Sequence, residues 1–122
     1  MSSNRYTCPC CGFLTFDDSP GSYQICHVCF WEDDPVQLLD PWFVGGANRP
    51  NLVEAQACYA GCGAMAERFL QNVKGVLSTD DRDPTWRRVA EYDRAFVRTP
   101  RELAGGERRD LNSWYYWRKS VA

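Results

Sequence analysis

At 122 residues, with 44% hydrophobic and 14% aromatic side chains, the chain has the size of a single domain and enough apolar material for one real core. A formal charge of −2 disfavours a binder of the nucleic-acid phosphate backbone. No apolar run approaches the ~20 residues that span a bilayer, and Met1-Ser-Ser-Asn-Arg-Tyr-Thr lacks the apolar stretch of a signal peptide, so the chain is expected in the cytoplasm, away from membranes.

The charge is uneven. Residues 1–61 carry two basic and seven acidic side chains; residues 62–122 carry twelve basic and nine acidic. The simplest expectation is attraction between the halves within the fold, and the alternative is that the acidic half docks a basic partner. Seven cysteines in a reducing compartment point to metal or redox chemistry rather than to disulfides.

Residues 1–31 hold five of the cysteines with Pro9, Gly12, Pro20 and Gly21, a pattern of short strands and knuckles. Gly12-Phe-Leu-Thr-Phe predicts one strand and Ser22-Tyr-Gln-Ile a second, separated by the turn Asp17-Asp-Ser-Pro-Gly. Residues 32–50 read as an acidic and Gly-rich loop, with at most a turn at 36–39; a loop of this length is either functional or tightly packed. Asn51, followed three residues on by Glu54, predicts a capping box that opens a helix with Leu52, Ala55 and Tyr59 on one face and Gly61 ending it. A second helix is predicted over 64–72, with Met65 and Phe69 inward. A third starts at Asp83-Pro84, with Trp86, Val89 and Ala90 inward and a continuation over 91–97. The aromatic ending Trp114-Tyr-Tyr-Trp is expected to cover either the core or the cysteine-rich part. The expected fold is α+β: a small zinc-ribbon-like β-hairpin subdomain packed on two to four helices, with 1–31 as knuckles, 32–50 as loop and 51–122 mainly helical, all in one domain.

The strongest chemical signal is Cys8-x₂-Cys11, fourteen residues, then Cys26-x₂-Cys29. A Cys-x-x-Cys turn sets two sulfurs on one side of a tight loop, and two such turns supply a tetrahedral cage with Zn–S near ~2.3 Å. A cage closed by four thiolates leaves no position for water, which makes such a Zn²⁺ structural rather than catalytic. Iron in a rubredoxin-like cage uses the same ligands, and spacing alone does not separate the two. Gly12 suits the left-handed backbone that follows a knuckle; Phe30, at the matching place after Cys29, does not, so the second knuckle is expected to be built differently. Cys10 is a spare thiol beside the site, either packing as a small hydrophobe or acting in redox exchange with the ligands. His27, the one histidine, lies between two better-placed cysteines and is expected outside the ligand set. Cys58 and Cys62, four apart, read as small residues packed between helices, with Gly61 breaking the helix between them.

Glu32, Asp33 and Asp34 follow the last ligand. Capping and ion pairing are the first reading of this acidic run, partner binding the second, and catalysis a distant third. The arginines at 82, 87, 88, 94, 98 and 101 are interleaved with acids and look paired along helices rather than arrayed for nucleic acid. No phosphate loop and no nucleophile motif is present.

Cys8-Pro-Cys-Cys-Gly, Pro20-Gly-Ser-Tyr, Ile25-Cys-His-Val-Cys-Phe-Trp-Glu-Asp-Asp-Pro-Val-Gln, Gly45-Gly-Ala-Asn and the helix start at 52–57 together resemble the bacterial cysteine-rich CPCC family, over residues 5–72. The resemblance implies that Trp31, the acidic run and the Gly45-Gly-Ala-Asn turn form one unit with the knuckles, and it implies no activity. With no catalytic constellation in view, the expectation is a non-enzymatic module that binds a protein partner, in concrete form an immunity protein that neutralises a toxin. The alternatives are a zinc-ribbon nucleic-acid or translation-associated protein, disfavoured because only Arg5 is basic before Arg49, and a thiol-redox sensor acting through Cys10.

Overall fold

The computed structural model describes residues 5–119. Its fold is α+β: one antiparallel hairpin and several short helices around a core that includes the cysteine cluster. Strands β1 (Tyr6–Thr7) and β2 (Leu14–Phe16) pair with Tyr6 opposite Phe16 and Thr7 opposite Leu14, the register shifting between the two pairs. The predicted strand at 12–16 is thus present in shortened form, but it does not pair with residues 22–25. Those residues turn back on 32–33 instead: Tyr23 N donates to Asp33 O, Asp33 N donates to Gln24 O, and Ile25 bridges Glu32. Each Cys-x-x-Cys turn reverses the chain, so the segments flanking a knuckle are already adjacent and pair with each other.

Helix α1 (Pro35–Leu39) replaces the turn expected at 36–39. Asp34 caps it, accepting from Val36 N and Gln37 N, and Pro35 sits in its first turn, where a missing N–H costs nothing. The loop that follows is organised by two buried amides. Gln37 Nε2 donates to the carbonyls of Phe43, Asn48 and Pro50, and Gln37 Oε1 accepts from Asn48; Asn48 in turn exchanges hydrogen bonds with the backbone of Glu32. Of the two readings of residues 32–50, the structure supports tight packing.

Helix α2 (Leu52–Cys62) opens with the expected capping box, Asn51 accepting from Glu54 N and Glu54 Oε1 accepting from Asn51 N. It runs past Gly61 and closes on Gly63, whose φ of 94° and hydrogen bond to Tyr59 O mark a left-handed cap. Gly61 carries no chain reversal, so it does not break the helix between Cys58 and Cys62.

The second half is less helical than its sequence pattern predicts. Within 64–72 only a 3₁₀ turn forms, Glu67–Phe69, and within 83–97 only Glu91–Phe96. Tertiary hydrogen bonds fix the backbone at the two ends of the first segment. Met65 N donates to Cys29 O and Lys74 N to His27 O. Val89 N donates to Gln56 Oε1 rather than to its own helix, while the Asp83 carboxylate holds Thr85 N and Thr85 Oγ in a local turn. A 3₁₀ turn at Pro100–Glu102 and two four-residue helices follow, α3 (Gly105–Arg108) and α4 (Leu111–Trp114), then a last 3₁₀ turn at Tyr116–Arg118. The closing aromatics Trp114, Tyr115, Tyr116 and Trp117 are all buried in the main core, with Tyr115 stacked on Trp117 at 4.3 Å between ring centroids.

Among the described residues, charged side chains of the two halves meet at His27 and Asp80, 2.8 Å apart, while the arginines pair elsewhere. The arginine ion pairs stay within the second half: Arg87 with Asp93, Arg94 with Glu91, Arg98 with Glu107. None of these pairs has the i,i+4 spacing. Arg82 and Arg94 reach the first half through the ring faces of Phe13 and Trp42.

Candidate metal centre

The two knuckles have the same backbone. Gly12 N donates to Cys8 O and Cys8 N to Phe13 O; Phe30 N donates to Cys26 O and Cys26 N to Trp31 O, each bond 2.8 or 2.9 Å long. The residue after the second cysteine is left-handed in both, with φ of 83° at Gly12 and 73° at Phe30. The second knuckle is therefore built like the first, contrary to the expectation from its phenylalanine. The surroundings over-determine Phe30: its ring lies 4.6 Å from that of Phe69, and the Met65 hydrogen bond to Cys29 O holds the adjoining peptide.

These turns bring Cys8, Cys11, Cys26 and Cys29 together, all with no exposed surface, their sulfurs within 4.8 Å of one another. Cys8 Sγ lies 3.6 Å from Cys29 Sγ, and Cys11 Sγ 3.7 Å from Cys26 Sγ. A tetrahedron of radius ~2.3 Å has edges of ~3.8 Å, so these separations fit a cage around one metal ion. Thr15 Oγ1 stands 3.1 Å from Cys26 Sγ, a contact the sequence reading missed although Thr15 lies in the predicted strand.

The electrostatics call for a cation. Desolvation drives the thiols of Cys8 and Cys29 upward, and that of Cys10 as well. Desolvation acts on Cys26 in the same sense, but hydrogen bonds from Cys11, Cys29, Cys8 and Thr15 outweigh it and pull this thiol down. Four buried thiolates without a positive charge between them would repel one another in a medium that screens poorly.

The first knuckle is clothed by residues 82–86 with Gln56 of α2, the second by residues 65–80. Over the first, Asp83 N donates to Gly12 O, the Arg82 guanidinium donates twice to Cys11 O, and Trp86 Nε1 and Gln56 Nε2 both donate to Pro9 O. Thr7 Oγ1 donates to Asp83 Oδ2 at 2.7 Å. Over the second, residues 65–74 supply the donors to Cys29 O and His27 O, and His27 Nε2 lies 2.8 Å from Asp80 Oδ2. His27 is thus outside the cluster, engaged with a carboxylate. Gln56 is the hub that sequence reasoning passed over. It sits four residues after Leu52 on the buried face of α2 and ties Pro9, Val89 and the Tyr116 hydroxyl together. A polar residue on an apolar helical stripe was the available signal.

Cys10 is fully buried, and its place in the first knuckle matches that of Val28 in the second, also fully buried. The equivalence identifies it with a packing position. Of the acidic run, Asp33 and Asp34 are buried and committed to backbone. Asp33 Oδ2 accepts from Gly21 N, Ser22 N and Ser22 Oγ; Asp34 Oδ1 caps α1 and its Oδ2 accepts from Ala47 N. Burial pushes the Asp33 carboxyl up despite these donors. Glu32 alone of the three keeps its carboxylate free of such a role among the described residues.

The fold and site define a small α+β protein organised around a buried four-cysteine cluster that fits a metal ion. The family model described as cysteine-rich CPCC matches residues 6–80, more than half of the chain, and the protein belongs to that family. No curated protein matches the chain.

Proposed function

We propose that the chain is a non-enzymatic binding module whose cluster holds one structural Zn²⁺ through Cys8, Cys11, Cys26 and Cys29. The observation that carries this reading is closure: all four sulfurs are buried and face one another, which leaves no coordination position open to water or substrate. Bound there, zinc would lock the two knuckles into one rigid unit. Zinc is favoured over iron because a closed tetrahedron of four thiolates from two Cys-x-x-Cys turns is its usual structural site. Metal analysis of protein purified without added metal, together with the colour of the sample, tests this: about one zinc per chain and a colourless solution are expected, and a red iron–thiolate chromophore would overturn it.

The partner is proposed to be a protein. Support comes from a patch beside the second knuckle in which half-exposed Tyr23 and Ile25 lie next to Glu32, the antiparallel partner of Ile25. An apolar centre with an acidic rim suits a basic protein surface. In its concrete form this is an immunity protein that masks a toxin in a reducing, cytoplasmic setting. Affinity capture from host lysate with wild type and Ile25→Arg tests it: a protein retained by wild type and lost by the variant is expected, and capture of nothing, or equal capture by both, counts against it. The nucleic-acid alternative loses ground because Arg87, Arg94 and Arg98 are spent on internal carboxylates.

A further inference from the structure

Two of the seven cysteines lie apart from the cluster. Cys58 and Cys62 occupy successive turns of the same face of α2, their sulfurs 3.5 Å apart, with Cys58 partly buried and Cys62 exposed. The helix is continuous through both and is held closed at its end by Gly63 N on Tyr59 O. The pair is neither packed between helices nor split by Gly61.

Helical geometry decides what such a pair can do. Cβ atoms four residues apart on a helix are separated by about 5–6 Å. A disulfide needs a Cβ separation of about 3.5–4.5 Å, so a direct sulfur–sulfur bond would require the end of α2 to unwind. An atom bridging the two sulfurs adds two metal–sulfur bonds to the span and fits the intact helix. Among the described residues, no third cysteine, histidine or carboxylate oxygen joins these two sulfurs within the 4.8 Å that unites the knuckle cysteines. A tetrahedral ion would be left half-coordinated, whereas a soft ion content with two thiolates would not. The surroundings combine the negative end of a helix with mixed charges. The pair lies at the C-terminal end of the helix dipole, and Cys58 lines a cleft of about 520 Å³ with Glu54, Glu67 and the soft thioether residue Met65, although Arg49 and Arg68 also border that cleft. Desolvation and the neighbouring Cys62 raise the Cys58 thiol, and a bound cation would displace its proton.

We infer that Cys58 and Cys62 form a second metal site, a surface bis-thiolate that binds one soft monovalent ion of the copper(I) class. Binding involves no redox change. Two S–H bonds break, two copper–sulfur bonds form, two protons leave to solvent, and the protein's net charge falls by one. The inference does not depend on which metal the knuckles hold or on what partner the protein has.

The test uses the full chain with its resident metal, under anaerobic conditions, titrated with copper(I) buffered by a chromophoric chelator while release of the resident metal is followed. The wild type is expected to take its first copper(I) equivalent with no release. Cys62→Ser, at the exposed position, and Cys58→Ser are each expected to lose that uptake while keeping the resident metal and the helical circular dichroism. Release of resident metal by the first equivalent in the wild type would overturn the inference, as would retention of wild-type uptake by either variant. So would closure of the pair to a disulfide by glutathione disulfide with α2 unchanged, because the geometric argument against a direct bond would then be wrong.

Discussion

The first knuckle carries glycine where the second carries phenylalanine, yet the backbone is left-handed at both, and every hydrogen bond inside one has its counterpart in the other. The difference lies in what covers them. A Cβ built on Gly12 would sit 2.5 Å from Trp86 Cε3, so the indole occupies the space that a side chain would need. At Phe30 the side chain itself is the cover, reaching Phe69. Glycine is thus required in the first knuckle for two reasons, conformation and approach. In the second, a conformational cost of about 1–2 kcal/mol is offset by packing.

The largest effect expected is on the shared cage. Cys8→Ser and Cys26→Ser, one from each knuckle, should both abolish metal binding, with a stability loss on the order of several kcal/mol or more, because the metal's binding free energy is folding free energy. Metal content and urea unfolding check this, and a variant that kept its metal would break the equivalence of the two knuckles. Next comes Gly12→Ala, expected to cost about 3 kcal/mol from overpacking against Trp86 and left-handed strain together, with a shift in tryptophan emission. Cys10→Ser buries a hydroxyl and should cost about 1–3 kcal/mol while keeping the metal. Cys10→Val, copying the second knuckle, should be milder. Loss of metal in Cys10→Ser would move Cys10 into the ligand set.

Acid provides a fourth probe. Against the opposing pull of desolvation, hydrogen bonds from Thr85 and Thr7 hold the Asp83 carboxyl below its ordinary range, and those from His27 and Leu77 N do the same for Asp80. A depressed folded pKa contributes stability that is complete above the unfolded value of about 3.9 and is lost as pH falls through the folded value. Stability should therefore fall below about pH 4 on this account, and Asp83→Asn should flatten part of that slope in melts where metal content is followed in parallel. The smallest effect expected is that of Phe30→Gly, which relieves strain and loses the contact with Phe69, for a net change within about 1 kcal/mol of zero. A loss of several kcal/mol there would show that the second knuckle depends on its aromatic cover as heavily as the first depends on Trp86.

Features set by local chemistry were legible in the sequence. The cysteine spacing placed the four sulfurs, Asn51 and Glu54 placed the start of α2, and Gly12 announced a left-handed turn. What was not legible came from partners distant along the chain. Residues 64–72 and 83–90 have helical patterns, but knuckle carbonyls fix the backbone at Met65 and Lys74 and the Gln56 amide takes the Val89 donor, and no window of sequence reveals those contacts. Phe30 failed for a related reason, since the strain is visible locally and its compensation at Phe69 and Met65 is not. Asp33 and Asp34 show the limit for the acidic run: three consecutive carboxylates look alike in sequence, and only the fold separates the two buried ones, which accept from backbone N–H groups, from the free Glu32.

The carbonyls that the knuckles turn toward residues 65–86 bear on the order of folding. Thr7 meets Asp83 across 76 positions and Pro9 meets Trp86 across 77, so closing these contacts confines most of the chain. Helices α3 and α4, four residues each, are far below the length that persists alone in water, and the segment from 64 to 104 has only 3₁₀ turns. Such a half has little to nucleate on. It must wait for a preassembled template, and the template is complete only once both knuckles are clamped. Metal arrival would then act as the starting signal for the molecule as a whole, with the C-terminal aromatics settling last.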